Sequence, residues 1–212
     1  MDIVYYRAMN ISYPVARATF SSFRAKLEKD GGLRSQLESA VKMLRSSYNT
    51  AIYENRFIVG GALEHIMVAA FNGAGIPAQH VGRGDTRVDV LVTSEREDAG
   101  YSVKASFSTL SARLINTMGN KNPEWKEPSL FLFSGVGIVY ADPELLPEAT
   151  IHGDGVLTLD GKKMRAYITS HPEYVLAIIF DKPKTGKIAS SKTASEDVAR
   201  NIVHNFPKLS LP

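Results

Sequence analysis

The stretch FIVGGALEHIMVAAF, residues 57–71, constrains the fold of this chain more than any other segment. Its apolar residues lie on nearly every side of a helix, and such a helix is stable only where neighbouring elements cover it all round. We therefore predict a buried helix over residues 56–72, ended by the glycines and proline of residues 73–77. Glu64 lies inside this stretch, and carboxylates are rarely buried unless they have a partner.

The rest of the chain alternates between helical and strand patterns around this segment. Earlier helices are predicted at 14–29 and 33–53. After the buried helix we predict strands at 79–81, 87–93 and 101–107, a helix at 109–118, a strand at 130–140, a hairpin over 150–170 that turns at Asp160-Gly161, a strand at 174–180 and a closing helix at 195–205 capped by Ser195. This order predicts an α/β fold, with helices packed around a mixed sheet.

Length and composition predict a single soluble domain. The 212 residues are 44% hydrophobic and 22% charged, an ordinary globular composition. We expect a helical N-terminal subdomain (1–55), a core (56–181) and a basic C-terminal segment with a helix (182–212). The chain has no apolar run near ~18 residues, no signal-peptide pattern and no cysteine, so we expect a cytoplasmic protein with no membrane span, disulfide or sulfur-bound zinc. The net charge of +3 permits a polyanionic partner.

An aspartate in an apolar strand gives the first chemical signal. In the sequence RVDVLV, alternation predicts that Val88, Val90 and Val92 face one way, and that Asp89 faces the other way with Arg87 and Leu91. An aspartate in such a strand lies either on a solvated face or at a site.

The next strand is predicted to return beside the first and to carry Lys104. Ser102 shares the face of Lys104, and the Val103 carbonyl lies between them. A carboxylate, a carbonyl and a lysine in one place suit Mg²⁺ and an attacking water, since Mg²⁺ prefers oxygen ligands and a lysine can stabilise charge on a phosphate.

These residues resemble the PD-(D/E)XK superfamily of restriction-endonuclease-like nucleases over roughly residues 56–140. Asp89 matches the first acid of its motif, Lys104 the lysine and Glu64 the helical glutamate. The resemblance implies a restriction-endonuclease-like fold and Mg²⁺-dependent cleavage of double-stranded DNA, with Mn²⁺ as a substitute ion. It further implies a type II restriction enzyme that acts as a homodimer. Ser102 departs from the motif, which usually has an acid there, and Glu64 or else Asp85 would compensate.

The same residues also fit simpler structural roles. Glu64 could pair with His65 or Arg56, Asp89 could be a solvated residue paired with Arg87, and Lys104 could protect a strand edge. The chain could also be a nicking or repair endonuclease of the same fold, or a DNA-binding protein that lost catalysis with the acid at Ser102.

Basic residues near these motifs are candidates for DNA contact. Lys42 and Arg45 lie three positions apart on the second predicted helix and are expected to share a face. The full set of candidates is Lys42, Arg45, Arg83, Arg87, Arg113 and Lys121. The five histidines show no metal-ligand spacing, which argues against a histidine-based metal site.

Overall fold

A computed structural model describes residues 12–81, 88–94, 97–116, 124–147, 150–152, 156–180 and 193–212. Within these residues the helices are α1 (Tyr13–Lys29), α2 (Gly31–Ser47), α3 (Tyr53–Gly73), α4 (Gly161–Ser170) and α5 (Ser195–Val203), with a short 3₁₀ turn at Pro172–Tyr174. The strands are β1 (Ala78–His80), β2 (Val90–Val92), β3 (Ala99–Ser106), β4 (Ala112–Asn116), β5 (Ser129–Phe133), β6 (Gly137–Ala141), β7 (Thr150–His152), β8 (Val156–Leu159) and β9 (Val175–Leu176).

The described strands form two sheets. The larger has six strands in the order β1-β2-β3-β5-β6-β9, and the smaller has three in the order β4-β8-β7. In the larger sheet β3 and β5 run parallel and the other neighbours run antiparallel. The predicted α/β fold with a mixed sheet is therefore confirmed.

Both faces of the six-stranded sheet are covered. On β5, Leu130 and Leu132 pack into the core formed with α1, α2, α3 and α5. Phe131 and Phe133 point the other way and pack with residues of β4, β8 and α4. Because neighbouring side chains of a strand point to opposite faces, a central strand covered on both faces is apolar throughout, as the sequence SLFLF of β5 nearly is.

Helix α3 is the buried helix that the sequence predicts. It packs against α2 and α5 and against strands β1, β2 and β3. Its buried residues lie on several sides of the helix and run from Asn55 to Phe71. Within the described residues, no helix combines the length and the hydropathy that a membrane span requires.

The predicted helix at 109–118 is wrong, because residues 112–116 form strand β4. Ala112 and Leu114 are buried while Arg113 between them is exposed, which is the alternation of a strand and not of a helix. The strand is stabilised by antiparallel pairing with β8, in which Arg113 lies opposite Thr158.

The single strand predicted at 130–140 is also wrong, because the chain reverses within it. Strands β5 and β6 form an antiparallel hairpin with Phe133 opposite Gly137. Gly135 has φ of 77° and Gly137 has φ of 123°, backbone conformations that residues with a Cβ rarely adopt. These two glycines allow the tight reversal that an uninterrupted apolar pattern conceals.

Several predicted boundaries differ for local reasons. Helix α2 ends at Ser47, and Asn49 then forms a side-chain turn by accepting from the backbone N–H of Ala51. Asp160 is not a hairpin turn residue; it caps α4 by accepting from the backbone N–H groups of Lys162 and Lys163. The hairpin predicted there is instead formed by β7 and β8.

The strand predicted at 174–180 and the helix predicted at 195–205 are both shorter in the structure. Beyond β9, the chain is held by α2 side chains in place of a sheet partner, since the Ile179 N–H donates to Glu38 and Arg34 donates to the Ala177 carbonyl. Helix α5 runs from Ser195 to Val203 with Ala194 at the N-cap position, so the prediction that Ser195 is the cap is wrong.

Gly61 allows the close approach of α3 and α5, and it gives a test of that packing. A Cβ at Gly61 would lie 2.5 Å from Ser195 Oγ and 2.8 Å from Ser195 Cβ, whereas a Cβ at Gly60 would meet nothing within 4 Å. We expect Gly61→Ala to lower the free energy of unfolding by about 1–3 kcal/mol through overpacking. Gly60→Ala should raise it by up to about 1 kcal/mol, because alanine favours helix. Urea denaturation measures both, and equal effects would contradict this packing.

A buried ion pair lies at the end of β6 and makes the free energy of unfolding depend on pH. Asp142 is fully buried and accepts from Arg17 Nε at 2.7 Å and from Tyr140 Oη at 2.8 Å. Burial raises the pKa of Asp142, but the hydrogen bonds from Arg17 and Tyr140 outweigh burial and leave that pKa below its ordinary value.

We expect Asp142→Asn to lower the free energy of unfolding near pH 7 by on the order of 3 kcal/mol. Because the folded pKa lies below the unfolded value of ~3.9, the contribution of Asp142 is complete above about pH 4 and is lost as the pH falls below it. The difference between wild type and variant should therefore narrow below about pH 4 in denaturation curves. Glu144→Gln is the control: Glu144 also contacts Arg17 but its side chain is 60% exposed, so the change should be under about 1 kcal/mol.

Candidate functional site

Asp89 lies just before β2, and hydrogen bonds of its main chain hold it in place. Its N–H donates to the Tyr101 carbonyl at 2.8 Å, and its carbonyl accepts from the Val81 N–H at 3.0 Å. Asp89 thus continues the pairing between β1, β2 and β3 by one residue. The predicted alternation fails beside it, since Val88 packs with Val81 and Leu91 in a small separate cluster, while Val90 lies in the main core.

The carboxylate of Asp89 is held against β3. Its Oδ2 atom accepts from the Val103 N–H at 2.7 Å and from Ser102 Oγ at 3.0 Å, and Lys104 Nζ lies 3.9 Å from the same atom. Among the described residues, the hydrogen bonds and the ion pair of the Asp89 carboxylate fall on Oδ2, so Oδ1 keeps the capacity to bind a cation. Asp89 and Lys104 are each about a quarter exposed, so both remain accessible to a ligand.

The backbone of Val103 points toward the same place. The Ser102 N–H donates to Pro128, on the β5 side of β3, and the Val103 N–H donates to Asp89 on the opposite side. The N–H and C=O of one residue point to the same edge of a strand, so the Val103 carbonyl also lies on the Asp89 side of β3.

Glu64 reaches this place from α3. Its Oε2 atom lies 2.9 Å from His80 Nε2, so its partner is His80 and not His65 or Arg56. The His80 ring stacks on that of His65, with centroids 4.1 Å apart. Burial raises the pKa of Glu64, the Asp89 carboxylate raises it further, and His80 and Lys104 act in the opposite direction. The net shift is upward, as expected for a half-buried carboxylate near a second one.

These side chains share one cleft of about 940 Å³. Its walls come from α3, from β3, from the end of β1 and the described residues between β1 and β2, from the smaller sheet and from the start of α5. Among the described residues, two carboxylates, one histidine and three basic side chains line it: Glu64, Asp89, His80, Arg56, Lys104 and Arg113. A second cavity of about 660 Å³ shares Arg56, Lys104 and Arg113 with it. The cleft is large enough for a segment of a polymeric ligand.

The oxygen atoms of this cleft fit Mg²⁺ better than zinc. In the described part of the chain, no three side chains of His, Cys, Asp or Glu form a group that could hold a metal ion. Two carboxylates and the Val103 carbonyl are nevertheless the donor set that Mg²⁺ accepts, because this ion uses one or two carboxylates and keeps several waters. Asp85, the alternative compensating acid, lies outside the described residues.

The basic residues predicted to contact DNA are placed differently from one another. Arg113 is exposed and lines the cleft. Lys42 is exposed and pairs with Glu38 one helical turn away, at 2.7 Å. Arg83, Arg87 and Lys121 lie outside the described residues.

Arg45 does not share the exposed face of Lys42. It is 1% exposed, its guanidinium lies 4.3 Å from the ring centroid of Phe107, and Nη1 donates to Ser134 and to the Phe180 carbonyl. Arg45 therefore belongs to the core, which corrects the prediction that it contacts DNA. The apolar stems and ring contacts of a stacked arginine make this burial possible.

Among the described cleft residues, four with an aromatic or basic side chain were not identified as site residues from the sequence: Tyr53, Arg56, Phe57 and His80. Helical spacing could have found the first three. Phe57, Arg56 and Tyr53 lie seven, eight and eleven positions before Glu64, and residues at these spacings lie close to one face of a helix. The contact of His80 with Glu64 depends on the packing of β1 against α3, which no local pattern shows.

Comparisons with protein-family models, with curated proteins and with solved structures give no match to this chain. The geometry of the cleft is therefore the observation from which a function can be inferred.

Proposed function

We propose that this protein is a Mg²⁺-dependent DNA endonuclease whose active site is the cleft around Asp89. The observation that carries the proposal is the meeting of Glu64, Asp89 and Lys104, which come from α3, the start of β2 and β3. Two carboxylates beside a lysine in an open cleft suit a divalent cation together with a phosphate. The cation offsets the carboxylate charges, and the cation and the lysine together offset the phosphate charge.

Each residue has a distinct role in this proposal. Asp89 and the Val103 carbonyl would hold Mg²⁺, with Glu64 binding it or orienting a water. Bound Mg²⁺ would polarise the phosphodiester and lower the pKa of a water for attack. Lys104 stabilises charge that develops on the phosphate or orients the attacking water. His80 acts on Glu64 by a hydrogen bond and orients its carboxylate.

Ser102 fits the proposal in spite of its departure from the nuclease motif. Its hydroxyl donates to Asp89 Oδ2, and the residue is only 4% exposed. A carboxylate at this position would instead face Asp89 at hydrogen-bond distance and repel it. We infer that Ser102 orients Asp89, and that Glu64 supplies the second carboxylate.

The order of elements supports a restriction-endonuclease-like core. Helix α3 is followed by the antiparallel strands β1, β2 and β3, and β5 then lies parallel to β3. The connection between β3 and β5 carries β4 where a helix was expected. Within this class we propose a type II restriction enzyme that cuts double-stranded DNA as a homodimer, with one cleft for each strand.

Cleavage of plasmid and unmethylated phage DNA tests this function. We expect discrete fragments in Mg²⁺ or Mn²⁺ and none in EDTA, because the carboxylates need a cation to bind the phosphate. Lys104→Ala should lower the rate about 100-fold or more, whereas Lys29→Ala should leave it within about twofold, because Lys29 is exposed at the end of α1 and does not line the cleft.

The form of the products separates the alternatives. Nicked circles without linear fragments would favour the nicking or repair enzyme. DNA that is bound but stays intact with both ions would sink the endonuclease proposal and favour the non-catalytic DNA-binding protein.

Metal binding can be measured without cleavage, by Mn²⁺ electron paramagnetic resonance on the protein alone. Asp89→Asn keeps an oxygen that can accept from Ser102 and Val103 but removes the charge, so we expect Mn²⁺ affinity to fall at least 10-fold. His80→Ala should weaken it by about 10- to 100-fold by releasing Glu64. His204→Ala, at an exposed position after α5, is the matched control. Unchanged affinity in both site variants would place the metal elsewhere.

A further inference from the structure

One face of α3 runs from the centre of the cleft to its rim. Tyr53, Phe57, Gly60, Gly61 and Glu64 all line the cleft, and their spacing places them on one side of the helix. Glu64 lies at the inner end beside His80. The two glycines leave the middle of this face without side chains, and the two aromatic residues form its outer end.

The aromatic pair is unusually exposed for its size. Tyr53 is 60% exposed and Phe57 is 57% exposed, and among the described residues the other large hydrophobic side chains exposed to solvent are Met43 and Ile179. The two rings meet edge to face with centroids 5.1 Å apart. This contact orients the rings but leaves ring surface open to a ligand.

The charges around the pair suit a polyanion. Arg56 lies between the two aromatic residues in sequence and lines both cavities, as do Lys104 and Arg113. Basic side chains interleaved with open aromatic rings are the combination that binds single-stranded nucleic acid, in which phosphates meet the cations and bases stack on the rings. Lys104 already lies beside the Asp89 carboxylate, so Arg56 and Arg113 are the cations that a phosphate would meet first.

The length of α3 between Phe57 and Glu64 sets how far the aromatic pair lies from the proposed site of cleavage. Seven residues separate Phe57 from Glu64, which is about 10 Å along the helix axis. That length corresponds to about three stacked nucleotides. A base that stacks on Phe57 therefore lies within about three nucleotides of a phosphate placed beside Glu64 and Asp89.

We propose that Tyr53 and Phe57 form a stacking site for an unpaired DNA base, so that double-stranded DNA with an unpaired nucleotide within about three positions of the cleaved phosphate binds more tightly than a fully paired duplex of the same sequence. In an intact duplex the faces of each base are covered by its neighbours, and a base must leave the stack before an aromatic side chain can cover it. This inference rests on the proposed nuclease function for its substrate, but its binding step can be measured without cleavage.

The test uses short DNA duplexes with 2-aminopurine as a single unpaired base, beside fully paired duplexes of the same sequence, with Ca²⁺ in place of Mg²⁺. We expect wild type to bind the unpaired-base DNA about 10-fold more tightly and to quench the 2-aminopurine fluorescence by stacking. Phe57→Ala and Tyr53→Ala should remove both effects, and Phe57→Trp should keep them. Ile179→Ala is the control, because Ile179 is 62% exposed but does not line the cleft.

Equal affinity for the two DNAs, or quenching that survives both alanine variants, would overturn the stacking site. A change of sedimentation mass in those variants without a change in DNA preference would assign the pair to contact between two copies of the chain. A parallel assay in Mg²⁺ separates the two proposals. Cleavage without preference contradicts only the stacking site, and preference without cleavage contradicts only the nuclease function.

Discussion

The burial of α3 is the constraint on which the rest of the structure depends. A helix that is apolar nearly all round must be covered on every side, and here β1, β2 and β3 cover one side while α2 and α5 cover others. The same packing brings Glu64 into one cleft with Asp89 and Lys104. The close contact of Gly61 with Ser195 is part of this packing, because α5 could not approach α3 as closely over a larger side chain. The core and the candidate site therefore share one helix, and a change in the packing of α3 would also move Glu64.

Holding the Glu64 and Asp89 carboxylates close together in the cleft costs free energy unless a ligand neutralises part of their charge. Glu64 is less than a quarter exposed, and both its burial and the nearby Asp89 carboxylate raise its pKa. His80 and Lys104 offset part of this repulsion, since both favour the charged form of Glu64. Structural ion pairs usually place opposite charges together, as Arg17 and Asp142 do at the end of β6. Two carboxylates held near each other in an open cleft are more typical of a functional site, where a cation can bind between them.

The sequence predicts those features that depend on local pattern. The buried helix follows from its apolar residues, and the nearness of Asp89 to Lys104 follows from a short connection between two strands, which the structure forms as β2 and β3. Features that depend on distant partners were missed. Strand β4 exists because β8 pairs with it, and Arg45 is buried because Phe107 and Phe180 come from distant parts of the chain to surround it. A charged residue on a helix would otherwise be expected in solvent. The His80–Glu64 contact has the same origin, since it joins a strand to a helix.

Ser102 shows how a motif and a structure can be interpreted differently. From sequence, a serine in place of an acid is a loss, and it could mean that catalysis was lost as well. In the structure the hydroxyl donates to Asp89 Oδ2 together with the Val103 N–H, so two donors fix one oxygen of that carboxylate. A carboxylate with one oxygen fixed in this way presents the other in a defined direction, which favours binding of a cation. In the proposed nuclease site, the serine would exchange a second charge for better orientation of the first. Glu64 would then supply the second charge, because the packing of α3 against β1, β2 and β3 brings it into the same cleft as Asp89.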